Sequence, residues 1–364
     1  MGYDYKGKIA FITGGASGAG LGQAKLFGGL GCKVTIVDIR QEAIDKALEE
    51  LKGLGIDAIG YQMDLTKRDQ YIAVADKAEA HWGGPPNFLF NTAGVNSFGP
   101  AEASTFEDFD WILGVNLNGV INGFVIFVPR MIKAYGGANG VAKADAHICV
   151  VSSMGAFDGY STDAPYSVSK AAVNNLAYSY YDALKPYGIG VTVQCPANIN
   201  SNIGEAVLTR PAELSNTGYY VSEGTINMLK SIHAGGIDPV RLAECMKYAM
   251  ENGMPMCIPS YSNESPELTA PLGENTFKKF IQWTSVEGLA EMAKEAEEAA
   301  ARRAEMMKRF AEQQEQWKKD HPGEEPPAPP SMFGGGNADP SVPMETFGQA
   351  RPDLDFVRDD VKKK

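Results

Sequence analysis

The chain has 364 residues, 44% of them hydrophobic, with 33 Lys and Arg against 45 Asp and Glu for a formal charge of −12. That apolar fraction supports a buried core and excludes wholesale disorder, while the acidic balance argues against a nucleic-acid partner, whose phosphates need a basic face. Strand candidates fall at residues 8–13, 33–38, 58–65, 87–91, 147–153, 190–196 and 256–259. Most are near-continuous apolar runs, as strands covered on both faces must be. Amphipathic segments lie between them; residues 42–52, for example, place Ile44, Leu48 and Leu51 on one helical face. Seven strands with intervening helices predict an α/β fold: one Rossmann-type, doubly wound parallel sheet within residues 1–285. Residues 286–320 are rich in Ala, Glu, Lys, Arg and Met and lack Pro, so a C-terminal helical extension is expected there. Residues 321–364 begin Pro/Gly-rich and end polar, a linker and tail.

Cys32, Cys149, Cys195, Cys245 and Cys257 are scattered without a CxxC pair, and the four histidines include no HExxH. No metal site and no disulfide framework are expected, and each His is read as a surface or structural residue. The N-terminus lacks a charged leader ahead of an apolar run, and the longest apolar stretch, 120–128, is too short to span a bilayer. A cytoplasmic protein without membrane attachment is the expectation.

The first strand runs into Thr13-Gly14-Gly15-Ala16-Ser17-Gly18-Ala19-Gly20, followed by a helical pattern. Glycines between a strand and a helix bring backbone N–H groups and the helix's positive end against a pyrophosphate. Alone, the motif is also compatible with a plain tight turn. Asp38 ends the second strand, eighteen residues beyond Gly20, where a carboxylate accepts hydrogen bonds from an adenosine ribose and repels a 2′-phosphate. NAD is therefore expected rather than NADP. Arg40 reads as a solvated charge at the start of the next helix.

Tyr166 and Lys170 are four residues apart and share a helical face. Ser153 ends a strand thirteen residues before Tyr166, and Asn116 lies in an earlier helix. YxxxK alone carries little weight. Together with TGxxxGxG, the run Asn91-Thr92-Ala93-Gly94, Asn116 and Ser153, in this order and spacing, the sequence resembles the short-chain dehydrogenase/reductase family over about residues 6–260. The chemistry fits the residue types. Free Tyr, with a pKa near ~10, stays protonated and is no effective base at neutral pH, and a nearby ammonium favours the phenolate. The resemblance implies that Tyr166 is the base, that Lys170 lowers its pKa and holds the nicotinamide ribose, that Ser153 binds the substrate oxygen, and that Asn116 completes a water relay. It also implies cofactor contacts at Gly14, Ser17, Gly18, Ala19, Asp38, Asp64, Leu65, Asn91, Ala93, Tyr166, Lys170, Ile199 and Ser201. Ala197 and Ser201 stand where the family usually has Gly and Thr.

Loops at the strands' C-terminal edge should hold the substrate. They carry Phe98, Phe157, Tyr160, Tyr219, Tyr220 and Met228, within 95–100, 155–165 and a lid at about 203–238. Aromatic lining suits a bulky apolar small molecule. The runs NTAGVNSFGP, DFDWILGVNLNGVING and PANINSNIGEA are similar to those of bacterial NAD-dependent Cα-dehydrogenases, which oxidise the benzylic alcohol of lignin-derived β-aryl ethers. A hydroxysteroid dehydrogenase on the same scaffold is the alternative. A different class, a nicotinamide-sensing scaffold whose tail recruits a partner, sits poorly with a complete base constellation. The family resemblance implies a homodimer or homotetramer.

Overall fold

Strand β1 (Ile9–Thr13) is buried along its whole length, because helices cover both faces of the sheet it helps to centre. In the computed structural model, which describes residues 2–137, 145–157, 159–259, 349–350 and twelve positions between 294 and 319, it is joined by β2 (Lys33–Asp38), β3 (Ala58–Gln62), β4 (Phe88–Asn91), β5 (His147–Val151) and β6 (Gly190–Gln194). Two short strands follow, β7 (Tyr219–Tyr220) and β8 (Met256–Cys257). The main sheet has seven strands in the order β3-β2-β1-β4-β5-β6-β8, every neighbouring pair parallel. This is the expected doubly wound sheet.

Its strands stop earlier than their apolar runs. After β3 the chain turns at Asp64, whose Oδ1 accepts from the Thr66 N–H and hydroxyl at 2.9 and 2.7 Å. After β5, Ser153 leaves the ladder to cap the 3-10 turn Met154–Ala156. Competing side-chain hydrogen bonds end both strands. Outside the main sheet, β7 pairs antiparallel with β9 (Gln349–Ala350), a contact that no sequence pattern announces.

The period of two along β1 divides the core. Phe11 faces one layer with Tyr71, Phe124 and Phe127, while Ala10 and Ile12 face the other with Phe27, Ile44, Phe90 and Met246. The covering helices are α1 (Gly18–Gly29), α2 (Gln41–Gly53), α3 (Arg68–Trp82), α4 (Phe106–Leu113), α5 (Gly119–Tyr135), α6 (Ala164–Leu184), α7 (Glu223–Ala234) and α8 (Pro239–Glu251). A π-turn, Gly114–Asn118, joins α4 to α5, so Phe106–Tyr135 is one helical run of 30 residues. It is longer than the apolar stretch seen in sequence and apolar enough to cross a membrane. More than half of its most apolar part is buried inside the domain, as for a core helix.

The described residues between 294 and 319 are helical and, apart from Trp317, exposed. The rest of the extension, all of the linker and tail except 349–350, and residues 138–144 lie outside the described residues. Strand order reverses between β1 and β4, which opens a crevice at their C-terminal ends.

Candidate active site

That crevice is a cavity of about 1160 Å³, and both halves of the expected site line it. On the β1 side are Gly14, Ser17, Gly18 and Ala19. Gly18 has φ +48°, and a Cβ there would lie 2.8 Å from the Ser201 Cβ, so only glycine lets the turn meet the segment after β6. Thr13 ties the turn to the loop after β4: its Oγ1 accepts from the N–H groups of Thr92 at 2.9 Å and Ala93 at 3.2 Å. Asp38, Asp64, Leu65, Ala93, Ile199 and Ser201 also line the cavity.

One expectation is extended here and another changes. Arg40 stands at the start of α2 with its side chain 38% exposed, as expected, but it is paired as well as solvated. Its Nε donates to Asp38 Oδ1 at 3.1 Å and its Nη2 to Ser17 Oγ at 3.0 Å, because the nearest anion is the carboxylate two residues earlier. Asn91, expected to touch the cofactor, is buried at the end of β4 and absent from the cavity wall. Its amide lies against Gly123 of α5, where the strand's alternation turns it into the layer beneath the sheet.

Across the crevice, β5 delivers Ser153, and the first turns of α6 deliver Tyr166 and Lys170; all three line the cavity. The N–H of Gly155 donates to Ser153 Oγ at 3.1 Å, and Ser153 is hydrogen-bonded to the Tyr166 hydroxyl. Lys170 Nζ lies 5.6 Å from the centre of the Tyr166 ring and donates to the Val151 carbonyl at 3.0 Å. A Cβ on Gly94 would sit 3.2 Å from that Nζ and 3.4 Å from Asn116 Oδ1, so a side chain there would make the lysine give way by a few tenths of an ångström.

The electrostatics run against the sequence expectation. Burial pushes the Tyr166 phenol up to about 12, with the Ser153 hydrogen bond opposing, and burial brings the Lys170 ammonium down to about 8. In the protein alone, burial is the largest cause of both shifts, and it disfavours the charged form of each group. Asn116 likewise differs. Its amide is fully buried and engaged: Oδ1 accepts from Val95 N–H at 2.8 Å, and Nδ2 donates to the Val95 carbonyl at 2.9 Å and Ser169 Oγ at 3.1 Å. The side chain clamps the loop after β4 onto α6 and does not itself line the cavity.

Of the residues expected around the substrate, Phe98 and Tyr160 line the cavity. Phe157 packs on the hydrophobic core instead. Tyr219 is buried against Gly99, with hydrogen bonds to Ser97 and Thr217, and its partner in alternation, Tyr220, points outward at 63% exposed. Met228 is also off the wall, which is built from Val95, Trp111, Ile203, Ala206, Leu214 and Leu229. Leu229, Ile232 and His233 all line it, and their spacing of three and four within α7 was the available sequence signal. His233, expected to be structural, stands with its ring centroid 6.1 Å from that of Phe98, and burial lowers its pKa. His147 is structural, held by the Tyr3 and Thr192 hydroxyls at 2.9 Å each. Among the described residues, no group of three or more His, Cys, Asp or Glu is placed to hold a metal ion.

The sequence profile of the short chain dehydrogenases matches residues 8–211. The chain is 51% identical over 256 residues to a C alpha-dehydrogenase of Sphingobium sp. (strain NBRC 103272 / SYK-6), covering 70% of this chain and 81% of the relative. The apo crystal structure of LigD from Sphingobium sp. strain SYK-6 superposes with a TM-score of 0.60 at 44% identity, covering 78% of this chain and 99% of that one. A short chain dehydrogenase/reductase from Burkholderia phymatum in complex with NAD superposes with a TM-score of 0.64 at 27% identity, covering 70% of this chain and 90% of that one.

Proposed function

The chain belongs to the short chain dehydrogenase family and is an oxidoreductase acting on CH–OH groups, and from that premise we propose that it interconverts a benzylic Cα-alcohol of an aryl ether and its ketone with NAD. The convergence of Ser153, Tyr166 and Lys170 on one cavity with the glycine turn and Asp38 carries the reading. The name of the Sphingobium relative and the Trp111, Phe98 and Tyr160 side chains on the wall support the aromatic substrate.

The residues fit the dinucleotide. Asp38 is 8% exposed, and its carboxylate, already braced by Arg40, is available to ribose hydroxyls and hostile to a 2′-phosphate. NAD supplies, when bound, the hydride acceptor for the alcohol and a positive charge. Tyr166 takes the hydroxyl proton during oxidation and returns it during reduction. Ser153, with Oγ fixed by Gly155, holds the substrate oxygen beside the phenol. Lys170 is loaded with its proton at neutral pH yet close enough to its pKa to pass one on. Asn116 acts as a positioning residue, holding Val95 and Ser169 and through them the floor under Lys170.

A protein-only phenol near 12 favours the neutral acid, so the base form depends on charge brought by the cofactor. Tyr166→Phe tests the assignment. It should lower turnover by at least about a thousandfold while changing NADH affinity by less than about threefold, because the phenol transfers a proton and contributes little to binding. Retained turnover would remove Tyr166 from the mechanism. Retained NADH binding with no turnover of any alcohol by the unmodified protein would favour the nicotinamide-sensing reading.

A further inference from the structure

The lid is pinned by a buried ion pair directly behind the substrate wall. Arg210 Nη1 donates to Asp108 Oδ1 at 2.5 Å, and the two side chains are 7% and 0% exposed. The same guanidinium donates through Nε to the Leu214 carbonyl and through Nη2 to the Asn216 carbonyl at 3.0 Å, and it lies 5.2 Å from the centre of the Trp111 ring. Asp108 is satisfied on its other oxygen. Oδ2 accepts from the Thr105 N–H at 2.8 Å, the Thr105 hydroxyl at 3.2 Å and the Thr217 hydroxyl at 3.1 Å. One cation thus folds residues 210–216 onto themselves and ties them to the start of α4.

Both tied elements present side chains to the cavity: Trp111 from α4, and Thr209, Pro211 and Leu214 from the lid. Trp111 and Leu214 share an apolar cluster with Ile203, Ala206 and the ring of Tyr166 itself. The wall that meets a substrate and the ring that takes its proton are therefore parts of one packed unit, and Arg210 holds its outer edge.

We infer that Arg210, through Asp108 and the face of Trp111, is a positioning residue that sets the shape of the substrate half of the cavity and with it the preference for a substrate carrying a second aromatic ring. The inference rests on the proposed alcohol dehydrogenase reading for its substrates, but not for its structural content. Lys at this position keeps the charge and loses the planar fork that serves three acceptors and stacks on the indole. A bulky substrate should feel that loss, and a one-ring alcohol confined near Ser153 and Tyr166 should not.

The test compares the full chain with Arg210→Lys, using a two-ring β-aryl ether benzylic alcohol and the one-ring α-methylbenzyl alcohol. Arg210→Lys should raise KM for the two-ring alcohol about tenfold and leave its kcat within about twofold. It should shift KM for the one-ring alcohol by less than about twofold and speed amide hydrogen exchange across 203–217. KM values that move together for both alcohols, or exchange that does not change, would overturn the inference. Where Arg210→Lys does not fold, Asp108→Asn replaces it, with the same isosteric shape, the same expected KM split and the same overturning result. If the unmodified protein oxidises neither alcohol, the substrate reading falls; faster exchange at 203–217 in the variant still supports the anchor, and unchanged exchange overturns it.

Discussion

Replacing Lys170 with Met should abolish turnover and also remove a cost to folding that depends on pH. The ammonium is 3% exposed, and burial takes its pKa from 10.5 down to about 8. At about 1.4 kcal/mol per pH unit, that depression withholds about 3 kcal/mol of stability where folded and unfolded chains both carry the proton. Between the folded and unfolded values the folded chain binds fewer protons, so this contribution makes stability rise with pH through that window. The cost is then about 3 kcal/mol at a pH of about 7 and about 2 kcal/mol at a pH of about 9. Met carries no such cost but strands the Val151 carbonyl, 3.0 Å from Nζ, which takes back about 1–3 kcal/mol at either pH. The sign of the variant's total effect is therefore less informative than its pH dependence. Urea unfolding of both proteins without cofactor should show the wild type gaining about 1 kcal/mol on Lys170→Met between a pH of about 7 and about 9. Buried thiols at Cys32, Cys195 and Cys257, pushed up to about 12, weaken both proteins as pH rises past their unfolded pKa. Their effects largely cancel in the comparison, and stopping near 9 keeps the Cys195 coupling to Lys170 small. A stability difference equal at both pH values would mean that Lys170 titrates as an ordinary lysine and that its role as a primed proton carrier is wrong.

Two substitutions probe the cofactor side and the lysine's seat. Asp38→Asn should weaken NAD about tenfold, or about 1.4 kcal/mol, and release Arg40 toward a 2′-phosphate. The ratio of kcat/KM for NAD over NADP should fall by more than about tenfold, and an unchanged ratio would exclude Asp38 as the selector. Gly94→Ala places a Cβ 3.2 Å from Lys170 Nζ and 3.4 Å from Asn116 Oδ1. It should cut kcat about tenfold, since the displaced ammonium is the proposed proton carrier. Equal kcat in a folded variant would show that the lysine's seat tolerates the shift.

The parts legible in the sequence are those whose position follows from local spacing. Apolar runs placed the seven strands, and once β1 and β2 are parallel neighbours, Gly14, Gly18 and Asp38 must reach the same crevice. One helical turn likewise puts Tyr166 and Lys170 together. The lid had no such ruler. Tyr219 and Tyr220 are aromatic and adjacent, but alternation in a two-residue strand buries one and exposes the other, with neither on the cavity wall. A tryptophan in an apolar helix reads as core, and only the lid crossing over Trp111 makes it a wall. Asn116 was identifiable as a residue, but which of its groups faces Lys170 depends on the π-turn and on Val95, 21 positions away. The direction of the Tyr166 shift was out of reach because it is set by burial, a property of the whole packed unit.

The most direct test is NADH absorbance during turnover by the full chain, with NAD and matched panels of benzylic aryl-ether alcohols and steroid alcohols, then NADH with the corresponding ketones. NAD-dependent oxidation of the benzylic aryl ethers at the Cα carbon and NADH-dependent reduction of their ketones are expected. Turnover confined to the steroids, or only with NADP, would contradict the proposed function.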